Sequence, residues 1–150
     1  MASFKGLGIM GLLLVGLVIV MGADSKAKDP LADLHGKWKF VDVEGGGEKR
    51  PKEHFEEATV NIVGNEFWVS KPTGNDPKFR ILLESGKNTF DLECLEGKDK
   101  GQIIPGIYSF KDGQFRFCIN IFGNPRRRPA DFTTHEGDGT AYAILKQIDK

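Results

Sequence analysis

The chain has 150 residues, of which 21 are basic and 21 are acidic, so its formal net charge at pH 7 is zero. A single domain is expected, because domains most often contain about 100–150 residues. The balanced charge argues against a nucleic-acid-binding protein, which needs a basic face. A hydrophobic content of 39% excludes a disordered or collagen-like chain. The 19 glycines and 11 phenylalanines indicate a β-rich protein with many turns.

The N-terminal residues are typical of a secretory signal peptide. Lys5 precedes an uncharged apolar run from Gly6 to Ala23, and the small residues at its end fit a cleavage site. The run, residues 6 to 23, is at the lower limit of length for a spanning helix, so an uncleaved membrane anchor stays open. In both cases the rest of the chain is exported to the periplasm, the envelope or the medium. We expect a signal peptide or anchor over residues 1–23, a flexible leader over 24–33 and the folded domain over 34–150.

From Leu34 onward, apolar residues recur mostly at every second position, as in short β-strands. Eight strands are predicted, with a bend near Pro105 in the sixth. Only Pro51–Ala58 looks helical, for one or two turns. Closing eight antiparallel strands into a barrel removes their unpaired edges, so a single antiparallel eight-stranded barrel is the favoured all-β fold. The long connection Phe122–Thr133 leaves a two-sheet sandwich open as the alternative.

Four segments in order carry a resemblance to a known family. Gly36-Lys-Trp38 opens the first predicted strand, and the other segments are Glu96–Gly101, Pro105–Tyr108 with Asp112-Gly113, and Arg128-Pro-Ala-Asp-Phe132. Together they resemble a family of small, uncharacterised, exported lipocalin-like (calycin-type) domains that recur in planctomycete bacteria. The resemblance covers roughly Leu34–Lys150. It implies export and a lipocalin-like barrel, and it supplies no catalytic residues.

The resemblance also implies structural roles for several residues. In lipocalins the Trp of the first strand packs at the closed end of the barrel beneath a cation from late in the chain, a role for which Arg128 or Lys146 is available. Stacking of a cation on an indole contributes about 0.5–2 kcal/mol. Trp38 is therefore predicted to close one end of the barrel. The residues assigned structural roles are Gly36, Trp38, Arg128, Pro129 and Phe132.

The sequence contains no convincing metal, disulfide or cofactor site. His35, His54 and His135 are far apart and form none of the local pairs that zinc sites use. Alternation puts Cys94 on the apolar face and Cys118 on the polar face, about two strand spacings apart, which predicts two free thiols. A G-x-G-x-x-G pattern lies inside the apolar N-terminal run, where no strand can precede it, so no dinucleotide cofactor is expected.

The favoured function is non-enzymatic binding of a small apolar or amphipathic ligand inside the barrel. The alternative is a solid barrel that serves as an interaction or scaffold module for another envelope protein, through Trp68 or the arginines Arg126 and Arg127. A pocket of about 300 Å³ or more would favour the ligand carrier, whereas a filled interior would favour the module. The predicted lining consists of Phe40, Val60, Phe67, Phe79, Ile81, Phe90, Leu92, Tyr108, Phe115, Phe117 and Ile119.

Overall fold

The protein is an all-β, antiparallel, nearly closed barrel. A computed structural model describes residues 29–74 and 76–149. Within them it contains ten strands and a single 3₁₀ turn at Lys52–His54. The strands are β1 (Gly36–Gly45), β2 (Glu48–Lys49), β3 (Thr59–Val63), β4 (Glu66–Ser70), β5 (Lys78–Leu83), β6 (Phe90–Cys94), β7 (Ile103–Ile104), β8 (Gly106–Lys111), β9 (Gln114–Asn120) and β10 (Thr140–Asp149).

All the strands belong to one sheet, whose two ends come from one bent segment. The spatial order is β7-β6-β5-β4-β3-β1-β10-β9-β8, so β7 and β8 form opposite ends of the path although only Pro105 separates them in the chain. The amide of Tyr108 donates a hydrogen bond to the Asn88 carbonyl oxygen at 2.9 Å, and Thr89 forms an antiparallel bridge with Ile107. These contacts join the two ends and curl the sheet into a barrel. The two-sheet sandwich is therefore wrong.

The prediction of eight strands is also wrong, for two local reasons. A short additional strand, β2, pairs with the end of β1, where Glu44 lies opposite Lys49. The predicted sixth strand is divided in two at Pro105, which has no N–H to donate to a ladder. The predicted helical segment over residues 51–58 contains only the 3₁₀ turn.

The bend between β7 and β8 is held by a crowded glycine and an ion pair. A methyl group on Gly106 would lie 2.6 Å from the Phe90 carbonyl oxygen, so no side chain fits there. Arg128 Nη1 donates to the Gly106 carbonyl oxygen at 2.6 Å, and Nη2 donates to Asp91 Oδ2 at 3.0 Å. The hydrogen bond to Asp91 raises the pKa of the Arg128 guanidinium. Arg128 thus fastens the seam between β6 and β8.

Aromatic side chains fill one end of the barrel, which we call the lower end. Trp38 is completely buried there, and its Nε1 donates to the Leu34 carbonyl oxygen at 2.9 Å. The rings of Phe110 and Phe115 pack edge-on against the indole, with centroids 6.1 and 5.7 Å away. Trp38 fills this end of the barrel. Arg128, one of the two cations considered for stacking on the indole, pairs instead with Asp91.

We expect Trp38→Ala to lower the free energy of unfolding by about 3–5 kcal/mol, because it removes a buried aromatic side chain and leaves a void. Trp68→Ala is the matched control. Trp68 is half-exposed on the outer face, so its removal should cost about 1 kcal/mol or less. Urea denaturation followed by circular dichroism measures both. A loss below about 1 kcal/mol for Trp38→Ala would contradict its role as the end plug.

Arg128→Ala should lower the free energy of unfolding by about 1–2 kcal/mol. Charge-assisted hydrogen bonds contribute about 1.5–3 kcal/mol, and the partial exposure of Arg128 reduces that figure. Arg116→Ala, which removes an exposed guanidinium that donates to Gln114, should change it by less than about 0.5 kcal/mol. Arg128→Lys should recover little of the loss, since a lysine cannot make the two-pronged contact with Asp91. Urea denaturation measures the free energy of unfolding of each variant. Equal losses for Arg128→Ala and Arg116→Ala would contradict the role of Arg128 at the seam.

Candidate functional site

The end of the barrel opposite Trp38, the upper end, contains an apolar cavity of about 230 Å³. The lining residues come from seven strands, β1, β4, β5, β6, β7, β9 and β10, and from the start of the connection after β9. The lining is apolar apart from the hydroxyl-bearing residue Tyr142. The cavity residues are Phe40, Val43, Phe67, Val69, Phe79, Leu92, Ile104, Phe117, Ile119, Ile121, Ala141, Tyr142 and Ala143.

The cavity exists because β10 presents small side chains at its inward upper positions. Along β10 the inward residues are Ala141, Ala143 and Leu145, which face Ile119, Phe117 and Phe115 of β9 in register. Leu145 and Phe115 are fully buried and fill the lower half. The two alanines leave the space above them unfilled, since no neighbouring side chain replaces their missing volume. The interior is therefore solid below and hollow above.

A second pocket, of about 370 Å³, lies at the mouth of the cavity. Both are lined by Phe40, Val43 and Val69, so the cavity and the mouth are contiguous. The segment after β2 covers one side of the mouth, where the Phe55 ring packs edge-on against Phe40 at 6.1 Å. The remaining mouth residues are His54, Ala58, Lys71, Asp76 and Pro77.

The rim of the mouth carries the polar groups that the cavity lacks. His54 and Lys71 are exposed at the rim, and Asp76 is half-buried beside them. The Asp76 carboxylate accepts a hydrogen bond from the backbone amide of Lys71 at 3.1 Å. A molecule in the cavity would thus meet only apolar surface inside and both signs of charge at the opening.

The eleven residues predicted to line the barrel divide between its two halves, and all pack in or against the core. Six line the upper cavity: Phe40, Phe67, Phe79, Leu92, Phe117 and Ile119. The other five lie outside its lining, in the packed part of the interior: Val60, Ile81, Phe90, Tyr108 and Phe115. That any of them contacts a ligand stays a prediction.

Several cavity residues are not indicated by the hydrophobic pattern of the sequence. Ala141 and Ala143 carry too little apolar surface to stand out in a hydrophobic pattern, yet they decide where the cavity lies. Val43 follows an irregular register on β1, between Phe40 and Asp42, which breaks the alternation. The small residues Ala141 and Ala143, at alternate positions of β10, are the sequence signal that could have indicated the cavity.

The arginine-rich connection after β9 is tied to the barrel. Arg126 Nε donates to the Ile121 carbonyl oxygen at 2.9 Å, and its Nη1 donates to Gln102 Oε1 at 2.8 Å. Arg127 is exposed, and its carbonyl oxygen accepts a hydrogen bond from Asn120 Nδ2 at 2.9 Å. These contacts anchor the connection. The roles of Arg126 and Arg127 as a partner surface stay predictions.

The remaining residues predicted for structural or partner roles lie outside the cavity. Pro129 is half-buried in the connection, and the Phe132 ring packs against Tyr142 with centroids 5.9 Å apart. Trp68 is half-buried on the outer face of β4, where Lys78 Nζ lies 5.6 Å from its ring centroid. Gly36 begins β1 with a φ of 122°, which favours glycine.

Both cysteines are free, and both are buried. The prediction of two free thiols is confirmed, but Cys118 is completely buried on the face that alternation predicts to be polar. The side chain alternates with the inward Phe117 and Ile119, but the connection after β9 covers it, and Sγ lies 4.0 Å from the Thr133 carbonyl oxygen. Burial raises the pKa of the Cys118 thiol to about 11 and also raises the pKa of Cys94. Neither thiol is suited to act as a nucleophile at neutral pH.

No group of three or more His, Cys, Asp or Glu side chains that could hold a metal ion occurs in residues 29–74 and 76–149. Within the same ranges no helix is long and apolar enough to cross a membrane. The predicted signal peptide or anchor, residues 1–23, and most of the predicted leader lie outside the described residues.

At pH 8 we expect iodoacetamide to modify both thiols of the folded protein slowly, with Cys118 slower than Cys94. Burial lowers the fraction of each thiol that is deprotonated and also limits access of the reagent. Cys118 is completely buried, so both effects are strongest there. Peptide mass spectrometry after timed quenching measures each site, and the same reaction in urea, where both should react rapidly, is the control. Labelling of Cys118 ahead of Cys94 would contradict the covering role of the connection.

Comparison with known proteins leaves the family open. No protein-family model matches the chain, and no curated protein matches it. Among solved structures, the chain is similar to an uncharacterized protein from Bacteroides eggerthii, with a TM-score of 0.41 and 12% sequence identity. The match covers 75% of this chain and 98% of that chain. The resemblance to the lipocalin-like family is not tested by these comparisons and stays a prediction.

Proposed function

We propose that the protein is an exported, non-enzymatic, lipocalin-like barrel that binds a small apolar or amphipathic molecule in its upper cavity. The observation that carries the proposal is the apolar cavity of about 230 Å³, contiguous with a mouth pocket of about 370 Å³. The cavity alone is smaller than the roughly 300 Å³ of an ordinary ligand pocket. A ligand that also occupied the mouth would have enough room.

The size of the cavity limits the buried part of the ligand. A water molecule in the liquid occupies about 30 Å³, so the cavity corresponds to roughly seven or eight such volumes. A short alkyl chain or a single small ring fits that space. Its burial would contribute about 0.8 kcal/mol for each methylene transferred from water.

The rim indicates an amphipathic ligand rather than a wholly apolar one. His54, Lys71 and Asp76 are the polar side chains around the mouth. A ligand with a polar head could leave that head in the mouth while its tail filled the cavity. The orientation would then be fixed at the rim and most of the affinity would come from the tail, as in pockets with few polar groups.

The second candidate is an interaction module for another envelope protein, supported by a specific exposed side chain. Phe122 is 81% exposed at the start of the connection after β9, close to Gly45 and Arg50. An exposed aromatic beside an arginine suits a partner's pocket, because such residues often dominate binding energy. Native mass spectrometry of protein purified from its own envelope separates the candidates: a bound small apolar mass supports the carrier, and a bound protein supports the module.

Ala143→Leu should weaken the binding of octanol and octanoate at least about tenfold, because the larger side chain occupies the cavity. Isothermal titration calorimetry measures the affinity. Ala130→Leu, at an exposed position in the connection after β9, is the matched control and should bind both probes like the unmodified protein.

Thermal unfolding of the same variants separates loss of the cavity from loss of the fold. Because Ala143→Leu fills empty space, its melting temperature should not fall by more than a few degrees. Should Ala143→Leu unfold, Ala141→Val fills less of the cavity and provides the same test. Unchanged affinity in a folded cavity-filled variant would overturn the proposal.

A further inference from the structure

The outer face of β1 and β10 carries three lysines, of which only Lys37 has an acid, Asp149, directly opposite in the adjacent strand. Lys39 of β1 lies directly opposite Lys146 of β10, and Lys37 lies two residues along β1 on the same side. Like charges at directly opposite positions destabilise a strand pair. Lys39 Nζ donates to the Glu56 carbonyl oxygen at 2.8 Å, while Lys37 and Lys146 are exposed and form no ion pair with any described residue.

These two strands and β3 also carry the most exposed aliphatic side chains of the described chain. Val63 of β3 is 64% exposed, Ile148 of β10 is 53% exposed and Val41 of β1 is 45% exposed. Trp68 lies on β4, in register with Asn61 next to Lys37. We call this surface the lysine face; its residues are Lys37, Lys39, Val41, Val63, Trp68, Lys146 and Ile148.

Two acids border the lysine face at the lower end of the barrel. Asp149 lies opposite Lys37, and Glu66 lies opposite Val63. Glu66 is also opposite Arg80 in the next strand. The lysine face therefore has three lysines within it and an acid at each side of its lower edge, so its net charge stays positive.

The chemistry of the lysine face matches an anionic membrane surface better than other partners. A second copy of the chain, docked by two-fold symmetry, would bring the lysines of one copy against those of the other. A soluble polyanion would neutralise the lysines but leave Val41, Val63 and Ile148 in water. A bilayer with anionic headgroups offers phosphate to the ammonium groups and, just beneath, an apolar layer for aliphatic and indole side chains.

We propose that the lysine face rests on the surface of a membrane that contains anionic phospholipids. Each lysine near such a surface contributes favourably, and the contribution falls off within a Debye length. The strands of the face are adjacent, with neighbouring strands about 4.8 Å apart, so its lysines reach one patch of headgroups together. This contact is made by the folded barrel itself and is independent of the ligand cavity.

The full 150-residue chain should bind vesicles of phosphatidylglycerol more tightly than vesicles of phosphatidylcholine. The apolar run Gly6–Ala23 can enter either kind of vesicle and has lysines on both sides. The difference between the two affinities therefore reports all electrostatic contacts, and the double variant described next measures the share of the lysine face. Raising the salt to about 1 M, where the Debye length is about 3 Å, should remove the difference. Sedimentation of the vesicles with bound protein measures both affinities.

The double variant Lys37→Glu/Lys146→Glu should reduce the affinity for phosphatidylglycerol vesicles about tenfold or more, because it reverses two charges of the face. Lys98→Glu/Lys100→Glu makes the same change of net charge in an exposed loop between β6 and β7 and should have little effect. Trp68 fluorescence gives a second measurement. It should shift to the blue on phosphatidylglycerol vesicles, since the other indole, Trp38, is already buried.

Three results would overturn the proposal. The first is equal binding to the two kinds of vesicle at low salt. The second is an equal loss of affinity in the two double variants, which would mean that total charge rather than the lysine face decides binding. The third is retention on immobilised polygalacturonate that depends on Lys37 and Lys146 while vesicle binding does not, which would identify a soluble polyanion as the partner.

Discussion

The bend at Pro105 and Gly106 is the constraint on which the rest of the barrel depends. Because the chain turns there, one segment pairs with β6 before the bend and with β9 after it, and the sheet closes on itself. The contact of Gly106 with two strand backbones leaves no room for a side chain, and Arg128 joins the bend to Asp91 across the seam. An inside and an outside exist only because this seam holds.

Once the barrel is closed, the volumes of the inward side chains decide what the inside can do. At the lower end Trp38, Phe115 and Phe90 are joined by edge-on ring contacts that fill the space. At the upper end Ala141 and Ala143 interrupt the filling. The same closed fold thus combines a filled lower end with a hollow upper end, which is where the proposed ligand would bind.

Much of the architecture follows from local pattern, and the rest depends on contacts between distant residues. Alternation was enough to place Phe67 and Phe117 inside and to indicate the bend at Pro105, because both are properties of short segments. The partner of Arg128 is Asp91, 37 residues away, and no local pattern indicates such a pairing. The cavity could not be predicted from the sequence either. It depends on which side chains of different strands meet across the barrel, and no single strand determines that.

The two proposed surfaces are geometrically compatible, because they use different sides of the same barrel. The lysine face lies on the outside of β10, β1 and β3 and includes Lys37 near the lower end, whereas the mouth lies at the upper end beside His54 and Lys71. A barrel that rests on a membrane through this face has its strands along the bilayer and its mouth open to the side. An amphipathic molecule leaving the lipid surface would then have only a short distance to travel to the cavity. Membrane contact through this face would leave the cavity lining unchanged, because the lysines point outward and the alanines of β10 point inward.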